Sequence, residues 1–240
     1  MKTTIIATLL CLFVLCNAQS EMNKPDVMTL NFALSLEYLG RALYRQFNQT
    51  FSVADAQAAG YTAYDYRQIV EIGLDEIQHV ERLQQVIPTL GGEFIQPCTY
   101  DFSFGNNFNA FLNLSRTVEN TCVGALDGGI AMLNTPALFT AAATFATVEA
   151  RHASFLNLIT GLVPFPSAFD APLNATQVLA IASPLFASCP SYNNECFGIL
   201  NTNATVCSGH GSCAYKVCTC DAGFTGPDCS SKATQAPKCQ

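Results

Sequence analysis

Apolar residues recur at helical spacing through most of the chain, with polar residues between them. The pattern predicts four long helices and one shorter helix, at about residues 26–47, 63–86, 108–133, 136–162 and 176–186. Pro88 and Gly91-Gly92 mark the end of the second helix. Thr135 is placed as the N-cap of the fourth helix, with Pro136 at its first position.

The short link between the third and fourth helices decides how they pack. Only Asn134 to Pro136 lie between the two apolar patterns, so these helices are predicted to form an antiparallel hairpin. The shorter helix is expected to pack over one end of the others. The sequence therefore predicts an all-α domain built as a four-helix bundle with one extra short helix.

Two of the three histidines stand three residues after a glutamate, in Glu76-Ile77-Gln78-His79 and in Glu149-Ala150-Arg151-His152. On a helix, three residues turn the chain back by about 60° and raise it by about 4.5 Å, so each pair presents a carboxylate and an imidazole to one point. A solvated helix face would explain either pair alone. Two such pairs in one bundle favour a metal site.

Glu37 and Glu119 also lie among apolar residues at helical spacing, where an unpaired charge would be costly to bury. The order is thus a glutamate, a Glu-x-x-His pair, a glutamate and a second pair. Four-helix bundles that bind two metals with carboxylates have this arrangement. The predicted metal ligands are Glu37, Glu76, His79, Glu119, Glu149 and His152. Oxygen and imidazole donors suit two iron ions, or manganese; zinc and an empty site are the alternatives.

Two further side chains near these positions have open roles. Tyr44 lies seven residues after Glu37, on nearly the same helix face, where it would reach the site or simply pack in the core. Asp75 would hold an imidazole, or equally face solvent beside Arg82. We predict no catalytic side chain and no organic cofactor beyond the metal site.

The N-terminus has the pattern of a secretory signal. Lys2 precedes an apolar run from Ile5 to Leu15, and Cys16-Asn17-Ala18 places small residues before Gln19. No later stretch reaches the roughly 20 apolar residues of a transmembrane helix. We therefore predict a signal peptide over residues 1–18 and a soluble, extracellular mature chain.

The charge of the chain argues against a nucleic-acid partner. The formal net charge is −7 at pH 7, loss of Lys2 makes it −8, and the basic residues are scattered. Four Asn-x-Ser/Thr sequons are candidate glycosylation sites in a secreted chain. They are Asn48, Asn113, Asn174 and Asn203.

Beyond residue 190 the long apolar periodicity ends and cysteines become frequent. This change indicates a small disulfide-supported module after the helical domain. The predicted domains are a helical domain at 19–190, a cysteine-rich domain at 191–230 and a tail at 231–240. The cysteines of this region are Cys196, Cys207, Cys213, Cys218, Cys220, Cys229 and Cys239.

Five segments of the helical domain resemble the secreted ferritin-like proteins that include plant desiccation-related and fungal stress-related proteins. They are 30–39, Asp75-Glu76-Ile77-Gln78-His79-Val80, Pro97-Cys98-Thr99-Tyr100-Asp101-Phe102, Thr147-Val148-Glu149-Ala150-Arg151-His152 and Ser188-Cys189-Pro190. The resemblance implies a ferritin-like bundle and the same six metal ligands. It also implies that Cys98 pairs with Cys189, and it associates the chain with stress protection.

The tail resembles an EGF-like module, because Cys218-Thr219-Cys220 is followed by Gly223-Phe224-Thr225-Gly226 and then Cys229. This resemblance implies the disulfides Cys196–Cys213, Cys207–Cys218 and Cys220–Cys229, and it leaves Cys122 and Cys239 over. Cys122 reads as a small buried hydrophobe.

The residues and the resemblances together support two hypotheses. The first is a secreted di-metal protein that binds iron or manganese and oxidises ferrous ions or consumes peroxide or oxygen in stress protection. The second is a matrix, wall or adhesion protein in which the bundle is a scaffold and the EGF-like module binds an extracellular protein or glycan. An intact set of six polar ligands in a core favours the first.

Overall fold

A computed structural model describes residues 24–190, 195–196, 199–214, 217–226 and 228–233. The predicted signal peptide at 1–18 and Cys239 lie outside the described residues. The helices are α1 (Lys24–Thr50), α2 (Val53–Ala58), α3 (Ala63–Thr89), α4 (Phe108–Ile130), α5 (Pro136–Ile159) and α6 (Ala175–Ala182). The all-α bundle is confirmed. Within the described residues, no helix is long and apolar enough to cross a membrane.

Polar caps explain where several helices begin. At α3, the side chain of Thr62 accepts a hydrogen bond from the backbone of Asp65, and the Asp65 carboxylate accepts one from the backbone of Thr62. Ser52 and Asp55 form the same reciprocal cap at α2. The sequence prediction missed α2, although Ser52 and Asp55 carry its signal.

The start of α5 differs from the prediction in its chemistry. Thr135 occupies the N-cap position, but its side chain makes no capping hydrogen bond. Its hydroxyl instead donates to the carboxylate of Asp26 at 2.6 Å, and the backbone N–H of Asn134 donates to the same carboxylate at 2.6 Å. Asp26 is fully buried. Two hydrogen bonds to Asp26 therefore hold the link between α4 and α5 against the first turn of α1.

The bundle consists of two helix pairs, α1 with α3 and α4 with α5, joined mainly through contacts between α1 and α4. Its apolar core has two parts. One is rich in aromatic rings, including Phe47 stacked on Phe111 at 4.5 Å between centroids. The other includes Leu34, Val80 and Ile87. On α3, Ile69 and Ile72 belong to the first part and Val80 and Leu83 to the second, so the residues between them lie where the two parts meet.

Strands β1 (Thr99–Tyr100) and β2 (Phe186–Ser188) pair antiparallel and tie the link between α3 and α4 to the end of the domain. The disulfide Cys98–Cys189 adjoins this pairing, as the family resemblance implied. It closes a separation of 91 residues, which limits the conformations of the unfolded chain.

The C-terminal module consists of short antiparallel strands: β3 (Glu195–Cys196), β4 (Ile199–Leu200), β5 (Gly211–Ala214), β6 (Val217–Cys220), β7 (Phe224–Thr225) and β8 (Ser231–Lys232). Its core consists chiefly of half-cystines and Val206. The three implied disulfides, Cys196–Cys213, Cys207–Cys218 and Cys220–Cys229, are present. This small, disulfide-rich architecture fits an EGF-like module.

Candidate metal centre

Six polar side chains from four helices converge where the two parts of the core meet. Glu37 comes from α1, Glu76 and His79 from α3, Glu119 from α4, and Glu149 and His152 from α5. The three-residue spacing within each Glu-x-x-His pair places carboxylate and imidazole on the same helix face. The four glutamates are at most 2% exposed.

The six side chains form two overlapping groups. The first is Glu37, Glu76, His79 and Glu149, and the second is Glu76, Glu119, Glu149 and His152; within each group the potential ligand atoms lie within 4.8 Å of one another. Glu76 and Glu149 belong to both groups. A carboxylate has two oxygens, so each shared glutamate is able to contact two cations at once.

Each imidazole turns its Nδ1 toward the carboxylates. Nδ1 of His79 lies 2.9 Å from Oε1 of Glu149 and 3.2 Å from Oε2 of Glu37. Nδ1 of His152 lies 3.3 Å from Oε2 of Glu119 and 3.8 Å from Oε2 of Glu149. The two ring centroids are 6.2 Å apart. The histidines thus approach the cluster at two separate places.

Several buried atoms of this cluster lack a hydrogen bond of good geometry. They are Oε1 of Glu76, Oε2 of Glu119, both carboxylate oxygens of Glu149 and Nδ1 of His152. Some of them are close neighbours, yet their angles do not suit a hydrogen bond. Buried polar atoms are normally satisfied. Four carboxylates carry the charge that two divalent cations would neutralise, and the potential ligand atoms of each group lie within 4.8 Å of one another, so the residues fit two metals.

The packing of α1 against α3 reserves space for one carboxylate. A Cβ atom at Gly40 would overlap Oε2 of Glu76. Glycine within a helix costs about 1 kcal/mol relative to alanine, so its presence in α1 has a packing reason. Gly40 allows the carboxylate of Glu76 to lie against the backbone of α1, and sequence reasoning did not identify it.

The metal-free cluster holds protons. Burial and the charge of Glu149 raise the pKa of Glu119 to about 7, while burial and the same charge raise the pKa of Glu76 well above its usual value. Burial disfavours protonated histidine, but the carboxylates outweigh it: Glu149 and Glu37 raise the pKa of His79 to about 10. Glu119 and Glu149 likewise raise the pKa of His152 to about 11.

Tyr44 contacts the cluster directly. Its hydroxyl donates a hydrogen bond to Oε1 of Glu119 at 2.6 Å, and its side chain is 1% exposed. Its ring packs edge-on against Phe111. The two roles considered for Tyr44 from sequence therefore coexist, because the ring fills the core and the hydroxyl reaches a glutamate of the cluster.

Asp75 lies on the outer side of His152, where its Oδ2 is 3.2 Å from Nε2 of the imidazole. In the neutral imidazole, which is the form that binds a metal, an Nε2–H that donates to this carboxylate leaves the lone pair on Nδ1, facing the cluster. The sequence did not decide between this role and a solvated position. The pairing depends on α3 packing against α5, which local spacing does not reveal.

The remaining candidate positions lie away from the cluster. The sequon residues Asn48, Asn113, Asn174 and Asn203 are all exposed, Asn113 on the outer face of α4. Asn174 also caps α6. Cys122 is a buried free thiol, as expected, and burial raises its pKa well above the usual value.

A four-helix bundle with a buried carboxylate and histidine cluster defines the ferritin-like class of helical proteins. The family model of the Ferritin-like domain matches residues 25–162, more than half of the chain, and the protein belongs to this family. Residues 205–232 match a Teneurin-like EGF domain, which supports the EGF-like architecture of the C-terminal module. No curated protein is similar enough to the chain to count as a match.

Proposed function

We propose that this protein is a secreted di-metal carboxylate protein that binds iron, or manganese, and oxidises ferrous ions or consumes peroxide or oxygen. The observation that carries the proposal is the sharing of Glu76 and Glu149 between two ligand groups in a buried site. Glu37 with His79 would complete one metal position, and Glu119 with His152 the other. Glu76 and Glu149 would bridge them.

The donor set supports the choice of metal. Four carboxylates and two imidazoles suit iron or manganese, whereas structural zinc sites prefer cysteine thiolates and histidines. When bound, a pair of such metals would supply one-electron steps, so that two ferrous ions and two protons reduce one hydrogen peroxide to two waters. The surrounding protein would hold the ligands fixed while this occurs.

The protein groups around the cluster have separable tasks. Asp75 would keep His152 in the tautomer whose Nδ1 faces the metals. The Tyr44 hydroxyl would orient the Glu119 carboxylate through its hydrogen bond. The apolar rings on one side of the site would exclude water and strengthen the attraction between the carboxylates and the cations.

The extracellular location remains part of the proposal. Four disulfides and an EGF-like module are typical of oxidising compartments. We propose cleavage after residue 18, a bundle domain at 19–190, an EGF-like domain at 191–230 and a tail at 231–240. Glycans at the four exposed sequons and a role in stress protection belong to the same proposal.

Oxidation assays test this function directly. Protein reconstituted with ferrous iron is expected to consume peroxide or oxygen while ferric iron forms. Glu149→Gln should abolish this activity because it alters a ligand shared by both groups. Glu81→Gln, which changes an exposed charge on the same bundle, is the matched control. Oxidation at the wild-type rate in Glu149→Gln as well as in Glu81→Gln would reject the proposal.

The EGF-like module supports a second candidate function, because its match to a Teneurin-like EGF domain favours contact with an extracellular protein. In this alternative the bundle is a scaffold. A binding assay on matrix proteins with the full chain and with Glu149→Gln would separate the two functions. Matrix binding that is equal in both proteins, together with a wild type that shows no oxidation activity, would favour the scaffold.

A further inference from the structure

An apolar cavity lies between α1 and α4 and reaches Glu37 of the candidate metal centre. Its volume is about 40 Å³, and its wall is almost entirely carbon. Among the described residues that line it, Glu37 alone is charged. Leu36, Cys122 and Ala125 also line the cavity.

The cavity adjoins a larger cleft of about 450 Å³ between the bundle and the EGF-like module. Thr29, Phe32, Ala125 and Gly129 line both spaces. Thr219 and Phe224 of the module form part of the cleft wall. The shared residues therefore mark where the cleft adjoins the cavity that Glu37 lines.

Small side chains keep this part of the bundle open. Gly129 on α4 faces Thr29 on α1, and a Cβ atom at Gly129 would lie 3.5 Å from Cγ2 of Thr29, which is an ordinary contact. Ala33 and Ala125 line the same space. Alanine at position 129 would therefore fit without displacing Thr29. Glycine there leaves this part of the cavity open.

The apolar wall of the cavity would admit small uncharged molecules more readily than ions. Moving an ion through an apolar cavity is strongly unfavourable, whereas apolar cavities of this kind take up small apolar molecules. The surroundings of His152, which belongs to the ligand group without Glu37, are more polar, since the adjoining Asp75 side chain is 44% exposed. The two sides of the site therefore offer different environments to charged and uncharged reactants.

We propose that the cavity is the path by which a small uncharged apolar molecule of the dioxygen type reaches the Glu37 side of the centre from the cleft beneath the EGF-like module. This inference rests on the proposed function for its reactant. The path itself is a property of residues in α1 and α4. Phe32, Ala125 and Gly129 line both spaces, so larger side chains at positions 125 and 129 would narrow the path.

Xenon tests the path without using the activity, because it occupies apolar cavities and is visible in crystals and by NMR. Crystals of the purified full chain under xenon pressure are expected to show a xenon atom in the cavity lined by Leu36, Cys122 and Ala125. Ala125→Leu should remove it. Ala143→Leu, which adds the same side chain at an exposed position of α5, should retain it.

Should Ala125→Leu fail to fold, Gly129→Ala provides the milder change, with reduced xenon occupancy as the expected result. Absence of xenon from the wild-type cavity, or unchanged xenon occupancy in folded Ala125→Leu or Gly129→Ala, would overturn the proposal of this path. Ferrous oxidation by dioxygen at the wild-type rate in metal-loaded Ala125→Leu would also overturn it while leaving the proposed function intact. A wild-type protein that binds xenon but neither oxidises ferrous ions nor consumes peroxide or oxygen would instead reject the function.

Discussion

The carboxylate of Asp75 lies 3.2 Å from Nε2 of His152, on the side of the imidazole that faces away from the buried glutamates. The two residues come from different helices and are 77 positions apart. This contact fixes which nitrogen of His152 is available to a metal. It also links a half-exposed residue to the buried site.

Asp75→Ala is expected to weaken metal binding about 10- to 100-fold, because the imidazole loses the group that holds its tautomer and orientation. The measurement is a metal titration followed by calorimetry. Glu71→Ala, at an exposed position on the same helix, is the control and should bind metal as the wild type does. Equal affinities for the Asp75 and Glu71 variants would show that the contact has no role in binding.

The sharing of Glu149 between two groups predicts unequal effects of two similar substitutions. Glu149→Gln should lose both metals, since both positions use this carboxylate. Glu37→Gln should retain the metal held by Glu119, His152 and the shared glutamates. Metal analysis of the two purified variants measures the difference. The same loss in both variants would contradict the bridging assignment.

Two buried tyrosines allow a matched test of the hydrogen bond to Glu119. Tyr44→Phe and Tyr38→Phe each remove a buried hydroxyl and should each cost about 1 kcal/mol of unfolding free energy. Only Tyr44→Phe should also lower metal affinity, by about tenfold, because the Tyr38 hydroxyl instead donates to the backbone of Ile95 and accepts from Nε2 of Gln84, neither of which belongs to the cluster. Denaturant unfolding and metal titration give the two readings. A similar loss of affinity in both variants would assign the effect to stability alone.

Metal loading should release protons. In the metal-free protein the pKa of His79 is raised to about 10 and that of His152 to about 11, so both imidazoles are protonated at pH 7. Because metal binds only the neutral imidazoles, affinity should rise as pH increases toward these values, with roughly two or more protons released per chain at pH 7. Calorimetry in buffers of different ionisation enthalpy measures the release. Binding without proton release would contradict the ligand assignment of the histidines.

The sequence predicted the four long helices well because each carries a long apolar stripe and most have clear end signals. Pro136 marks the first residue of α5, and Thr62 with Asp65 caps α3. The end of α3 was set too early, since Pro88 is accommodated within its last turn. The convergence of six polar side chains also followed from sequence, because the spacing within each Glu-x-x-His pair orients both groups.

Features that depend on contacts between helices were not predictable. Nothing in the local sequence shows that Asp75 faces His152, or that Gly40 makes room for Glu76. The Thr135 side chain also bonds to Asp26 rather than capping its own helix, which requires α1 to lie beside the link between α4 and α5. Each of these depends on residues brought together only by the packed bundle.

Metal content decides whether the buried cluster holds two metals. The protein would be secreted from a eukaryotic host, purified without a metal-chelating tag and analysed by mass spectrometry for its metals. We expect about two iron or manganese ions per chain in the wild type and none in Glu149→Gln. A stably folded wild-type protein without metal, which also takes up none when iron or manganese is added, would show that the cluster is not a metal site.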